Sequence, residues 1–186
     1  MGTAYGSCGG CGMNDYDCMQ AALQQARMAA AEGEIPIGAV LVHDGEIIAA
    51  AHNKREILHD ATAHAEIMVI REACKRLGRW RLSGCTLYVT VEPCPMCSGA
   101  IVNSRIDRVV YGCPDVKAGG VESIFNILTN SSLNHTAEVC SGVCEEECAH
   151  VMREFFKRRR AENKAARRQR QELLQQTSLQ KTDNPV

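Results

Sequence analysis

Two short segments carry residue types that metal chemistry needs: Thr62-Ala63-His64-Ala65-Glu66 and Glu92-Pro93-Cys94-Pro95-Met96-Cys97. His64, Cys94 and Cys97 offer one imidazole and two thiolates, a set that suits Zn2+. Two thiolates neutralise the dication. Pro95 marks the first position of a helix, so Cys94 and Cys97 meet one ion from its first turn, where free N–H groups and the helix dipole favour thiolate over thiol. Three protein ligands leave a fourth position for water, as in catalytic zinc sites. Glu66 then serves as proton shuttle. On the flank of a helix, His64 and Glu66 would diverge by about 200°. The conflict disappears if the helix points its N-terminus at the metal. Two other readings are a four-ligand structural zinc that recruits another cysteine, and two buried cysteines with no metal. Neither accounts for the carboxylate beside the histidine or for the prolines flanking the Cys pair.

The flanking pattern indicates what positions these residues. Tyr16, Met19, Leu23, Ala26 and Ala30 recur at helical spacing, predicting a helix over 15–31 closed by Gly33 and Pro36. Residues 37–42 form an almost unbroken apolar run, a strand buried on both faces. Asp44-Gly45 predicts a hairpin with a return strand at 46–51. Thr62 is placed to cap a helix over 63–77 that Gly78 ends. Strands follow at 85–91 and 108–111, with a last one at 136–140, and a short helix runs from Pro95 to about Asn103. Cys144, Cys148, Val151, Met152, Phe155 and Phe156 form the stripe of a final helix whose apolar face stops at Phe156. This order predicts an α/β domain of about five strands with helices on both faces and some parallel pairing.

The chain has 186 residues, 45% hydrophobic and 23% charged, enough for one domain with a core and a tail. No apolar stretch is long enough for a membrane span, and the first residues lack the pattern of a secretory signal. Eleven cysteines, an odd number, point to a reducing, cytoplasmic setting. Residues 1–12 are Gly-rich and aperiodic, and are expected to be a disordered extension, with Cys8 and Cys11 as incidental thiols. The near-neutral net charge of −1 hides an asymmetry: residues 1–152 hold 11 basic and 18 acidic side chains, residues 153–186 hold 10 and 4. A basic arm on an acidic body implies a polyanionic partner. The expected organisation is an extension at 1–12, a catalytic domain at 13–160 and a basic, polar tail at 161–186.

The H-A-E motif followed by P-C-x-x-C resembles the zinc-dependent nucleoside and nucleobase deaminases. The segments 34–42 (EIPIGAVLV), 51–53 (AHN), 59–66 (HDATAHAE), 87–97 (LYVTVEPCPMC) and 155–159 (FFKRR), with Asp115, Lys117, Glu147 and Cys148, resemble the bacterial tRNA-specific adenosine deaminases over roughly residues 15–165. The resemblance implies a three-layer α/β/α cytidine-deaminase-like fold with a mixed sheet, a homodimer, and conversion of adenosine to inosine at the wobble position of a tRNA anticodon stem-loop; neither membrane nor DNA is an expected partner. By position it implies one zinc per subunit on His64, Cys94 and Cys97, with Glu66 as proton shuttle. Asn53 would bond the flipped nucleoside, Ile35 and Pro36 would line the base pocket, and backbone at Ala65 and Pro93 would meet the purine. Asp115, Lys117, Asn134 and His135 fall in segments resembling RNA-facing loops, and Phe155, Lys157, Arg158, Arg159 and Arg160 open the basic arm. Cys113-Pro114 departs from the Ala-Arg often found there.

Plainer readings stand beside these. Asn53 also suits a turn, Ile35-Pro36 a simple link, and Asp115 with Lys117 a solvated pair. Among functions, a guanine or deoxycytidylate-type deaminase shares the zinc motif, but a free base or nucleotide has no need of the arm. A non-catalytic, zinc-stabilised RNA-binding module has no use for Glu66.

Overall fold

The computed structural model describes residues 13–182; the expected extension at 1–12, with Cys8 and Cys11, and the last four residues lie outside the described residues. The elements run α1 (Asp15–Ala31), β1 (Gly38–His43), β2 (Glu46–His52), α2 (Arg55–Leu58), α3 (Ala65–Leu77), β3 (Cys85–Val91), α4 (Pro95–Ser104), β4 (Arg108–Cys113), β5 (Glu138–Ser141) and α5 (Glu145–Thr182). The chain divides into two compact units, one ending at Val151 and the other beginning at Met152.

The first unit holds one five-stranded sheet in the order β2-β1-β3-β4-β5. β1 pairs antiparallel with both β2 and β3, while β3–β4 and β4–β5 are parallel. β2, β3, β4 and β5 therefore all end at the same sheet edge, and β1 begins there. That edge is where an open α/β sheet places its chemistry.

Alternation along the strands separates two faces. Ala39, Leu41, Leu87, Val89, Val109 and Tyr111 enter the core with Ala65, Val69 and Ala73 of α3 and Ile101 and Val102 of α4. The opposite face carries Gly38, Val40 and Tyr88 toward α1, which buries Cys18, Met19, Ala22, Leu23, Ala26 and Ala29. The contact is close: a Cβ on Gly38 would overlap the Ala22 carbonyl oxygen and the Ala26 nitrogen. Helices on both faces of a mixed sheet make the three-layer α/β/α arrangement the sequence predicts. Among the described residues, no helix is long and apolar enough to cross a membrane.

Three local expectations are corrected, and one short helix is added to them. The helix expected to start at Ala63 under a Thr62 cap starts at Ala65, with His64 as its N-cap. Thr62 spends its hydroxyl and N–H on the Asp60 carboxylate, at 2.7 and 2.8 Å, in a turn before the helix. The last strand is displaced to Glu138–Ser141, where it pairs with β4, and α5 begins only at Glu145, because Cys144 takes a left-handed φ of 54° that a helix does not accept. The four-residue α2 is absent from the sequence pattern; it buries none of its residues and so leaves no apolar period to read.

In the second unit, the helix continues past Phe156 to Thr182 although its apolar stripe has ended. Lys157 pairs with Glu154 at 3.5 Å and Arg158 with Glu162 at 3.8 Å, the spacings that support an exposed helix.

Candidate active site

The metal-ligand types meet at the sheet edge described above. α3 and α4 both start there, and His64 and Cys94 are their N-cap residues, each with extended backbone and neither using its side chain as a cap. Ser, Thr, Asp or Asn would be the usual choice at such positions. Here the two side chains turn to each other instead. His64 Nδ1 lies 3.7 Å from Cys94 Sγ and 3.5 Å from Cys97 Sγ. The three donor atoms all lie within 4.8 Å of one another. Metal–donor bonds of ~2.1 and ~2.3 Å at tetrahedral angles put imidazole nitrogen and thiolate sulfur ~3.6 Å apart, so the set fits zinc in spacing as well as in chemistry.

The three groups set one another's protonation. The Cys97 thiol and His64 hold the Cys94 thiol down at about 4, against the burial that would raise it. Cys97 is pushed up in return, chiefly by its hydrogen bond to the Cys94 sulfur and by burial, and His64 is raised chiefly by its hydrogen bond with Cys94. Such a group of thiols loses protons on binding a dication.

Glu66 occupies the second position of α3, next to Ala65, and is only 3% exposed. Burial pushes its carboxyl up to about 6. Its Oε2 is buried without a hydrogen-bond partner. An orphaned buried oxygen is costly and marks a place where a ligand or water is received. Asn53 follows β2 at the same edge, 2% exposed, and its Oδ1 is likewise buried and unpartnered. Its amide nitrogen points to Glu34 Oε2 at 3.5 Å, and Glu34 Oε1 accepts the Ile57 N–H at 2.9 Å. Ile35 is half-buried and Pro36 buried on the approach to β1, while Ala65 and Pro93 are buried beside the cluster.

Asp115 and Lys117 follow β4 and reach the same edge. Asp115 Oδ1 accepts the Lys117 and Ala118 N–H groups at 3.0 and 3.1 Å, while Lys117 is exposed. Cys113 ends β4 buried, its thiol directed at the Thr90 carbonyl at 3.6 Å, and Pro114 is exposed. The structure does not bring Asn134 and His135 to this edge. Asn134 Oδ1 accepts Arg105 Nη1 at 2.6 Å, and His135 Nε2 sits 2.7 Å from the Ile106 carbonyl, ahead of β4 and β5. In the second unit, Phe155 is buried and meets exposed Phe156 edge to face, with ring centroids 5.4 Å apart. Lys157, Arg158, Arg159 and Arg160 are exposed.

Two buried carboxylates escape a reading of the sequence. Glu34 backs Asn53. Glu92 collects backbone N–H donors from the segment after β4, and these outweigh its burial to hold it down at about 2. The signal for Glu92 is a charged residue between a β-branched, largely buried strand and a Pro-Cys pair.

Comparison with known proteins agrees with this geometry. A family model described as MafB19-like deaminase matches residues 13–160. The tRNA-specific adenosine deaminase of Bacillus subtilis is 55% identical over 150 residues, 81% of this chain and 93% of that protein. The tRNA-specific adenosine deaminase of Streptococcus pyogenes serotype M1 is 48% identical over 80% of this chain and 87% of its own. A solved structure from a study of A-to-I editing by tRNA:A34 deaminases at the wobble position of transfer RNA superposes with a TM-score of 0.71 at 49% identity, covering 73% of this chain and 98% of that one. Sequence, fold and the two helix starts agree: the chain belongs to the MafB19-like deaminases and, among them, to the family of tRNA-specific adenosine deaminases.

Proposed function

We propose that this enzyme deaminates adenosine hydrolytically to inosine at the wobble position of a tRNA anticodon loop, in the cytoplasm and as a homodimer. The observation that carries the reading is the convergence of His64, Cys94 and Cys97 beside two buried, unpartnered oxygens, Glu66 Oε2 and Asn53 Oδ1. His64, Cys94 and Cys97 would hold one zinc, which when bound activates a water for attack on C6 of the base. Glu66 accepts one proton from the water and delivers it to the ring nitrogen, then accepts the second proton from the new C6 hydroxyl and delivers it to the departing amine. Water is consumed, the C6–N bond breaks, and inosine and ammonia leave.

The other residues bind and orient. Asn53 Oδ1 accepts a hydrogen bond from the nucleoside. Ile35 and Pro36 close the base pocket and exclude water, and the backbone at Ala65 and Pro93 meets the purine. A base in a hairpin loop costs less to extrude than a paired one, which favours the anticodon loop as substrate. Asp115, Lys117 and the start of the arm, from Phe155 to Arg160, serve the RNA backbone. Asn134 and His135 stand at the other sheet edge, so any RNA contact they make is away from the chemistry. Residues 13–160 form the deaminase domain in this reading, with 161–186 as its basic tail.

The test is direct. Total tRNA is incubated with the protein and sequenced, inosine reading as guanosine. A-to-G changes at the wobble position, absent with Glu66→Gln, are the expected result. Deamination of free guanine or deoxycytidylate with no change in tRNA would replace this reading.

A further inference from the structure

Glu92 stands between the end of β3 and the Pro93-Cys94 turn, and its carboxylate is 3% exposed. Oε1 accepts the N–H groups of Val121, Glu122 and Ser123 at 3.1, 2.8 and 2.9 Å. Oε2 accepts the Asp115 N–H at 3.0 Å and the Ser123 hydroxyl. All these donors belong to residues 115–123. One carboxylate therefore grips that segment at its entry and its exit. Hydrogen bonds to an ionised acceptor are stronger than neutral ones, and this set ties both ends of the segment to one carboxylate.

The same segment is pressed onto the ligand turn. The Gly120 N–H donates to the Pro93 carbonyl at 2.7 Å, and the Glu92 N–H to the Cys113 carbonyl at 2.9 Å. A Cβ on Gly120 would lie 2.8 Å from the Cys94 carbonyl carbon and the Pro95 nitrogen, and one on Gly119 would strike the Glu92 carboxylate. The Asp115 side chain passes the placement on, since its Oδ1 holds the Lys117 N–H.

We infer that Glu92 is a positioning residue for RNA: it holds the 115–123 segment, with Asp115 and Lys117, in fixed register with the Cys94 turn. An RNA held by that segment then presents its adenosine at the metal-ligand cluster. The inference rests on the tRNA deaminase reading for its ligand. Glu92 acts through the segment and is neither metal ligand nor proton carrier.

The experiment uses the full, zinc-loaded chain and a synthetic anticodon stem-loop RNA. Glu92→Gln keeps the shape and one oxygen, but sets an NH2 group against the Asp115 donor. KM and directly measured Kd for the RNA should rise about tenfold, while kcat stays within about threefold and zinc remains at about one per chain. Lys117→Ala should cost less affinity in Glu92→Gln than in the wild type, because both act through one segment. Unchanged KM and Kd, or fully additive losses with Lys117→Ala, would overturn the inference. Should Glu92→Gln lose its fold or zinc, Gly119→Ala is judged by the same readouts, because its Cβ invades the carboxylate's place from the loop side. Zinc loss in both variants also overturns it, since Glu92 would then be a scaffold of the ligand turn. The Kd comparison decides even if the wild type binds this RNA without deaminating it, an outcome that strikes the proposed function alone. A wild type that neither binds nor deaminates it sinks both.

Discussion

The Asp15 carboxylate and the Arg108 guanidinium form a two-pronged pair, Nη1 to Oδ1 and Nη2 to Oδ2 each at 2.8 Å, that ties the start of α1 to the start of β4. The Tyr88 hydroxyl donates to the same Oδ1 at 2.8 Å, and Arg108 also reaches Glu138 at 3.1 Å. One carboxylate thus links α1, β3 and β4 across 93 residues of chain.

This pair predicts an acid-sensitive contribution to stability. The bond from Arg108 lowers the Asp15 pKa below its ordinary 3.8, burial opposes the shift, and the Tyr88 hydroxyl adds to it. A depressed carboxylate contributes stability that is fully present above its unfolded pKa and is lost as pH falls through the folded one. Asp15→Asn should therefore destabilise by about 1–2 kcal/mol near pH 7, a range reduced for partial exposure. The gap from wild type should narrow below about pH 4. Urea unfolding of both proteins at pH 7 and pH 3 measures this; a constant gap would contradict it.

The zinc assignment predicts that Cys97→Ala falls well below one metal per chain while the wild type holds about one. The variant should also unfold at a lower temperature, because α3 and α4 lose their shared ion. Elemental analysis with a melting curve checks both, and full metal retention would remove Cys97 from the ligand set.

Much of this site is legible in the sequence because its chemistry sits at helix starts, where local signals are strong. Pro95 announces α4, and the Cys94/Cys97 spacing follows from its first turn. The start of α3 is displaced from its expected place because Thr62 is tied to Asp60 in a preceding turn; His64 stands at the N-cap, with its ring turned to the cysteines. Buried strands such as Cys85–Val91 stand out by composition. Hydrogen-bonded networks do not. Nothing in local periodicity joins Glu92 to Ser123, or Asp15 to Arg108, because those pairings exist only once the sheet has formed. The reach of α5 to Thr182 has no apolar stripe to mark it beyond Phe156; the Lys157–Glu154 and Arg158–Glu162 pairs support only its first turns past that point.

Glu66→Gln should keep zinc and RNA binding yet lose about 10²-fold or more in kcat, the usual cost of a lost general acid–base. The amide is nearly isosteric and cannot carry the proton. Single-turnover rates at saturating RNA isolate this step. Activity within a few-fold of wild type would assign proton transfer to another group.

Along the arm, Arg160, Lys164, Arg167 and Arg168 share one exposed helix face with Asn163 and Gln171, at three- and four-residue spacing. Lys157 and Arg158 are partly engaged by Glu154 and Glu162, so the stripe from Arg160 onward offers the more available charge. The body of the chain is acidic, and a polyanion needs a compensating surface to approach it. Replacing Arg160, Lys164, Arg167 and Arg168 with Gln keeps a helix-favouring side chain at each position and removes only charge. Every phosphate that the variant no longer neutralises should lower the salt slope of tRNA binding by about 0.7–0.9. Truncation after Phe156 should weaken binding further, since it also removes Lys157, Arg158 and Arg159. In both variants zinc content should be unchanged, and the rate at saturating RNA should fall less than the affinity, because the arm contributes binding rather than chemistry. Binding isotherms at two salt concentrations decide the matter. If the chain truncated after Phe156 binds tRNA as tightly as the full chain at both, with the same slope, the arm is a solvated helix with no part in recognition.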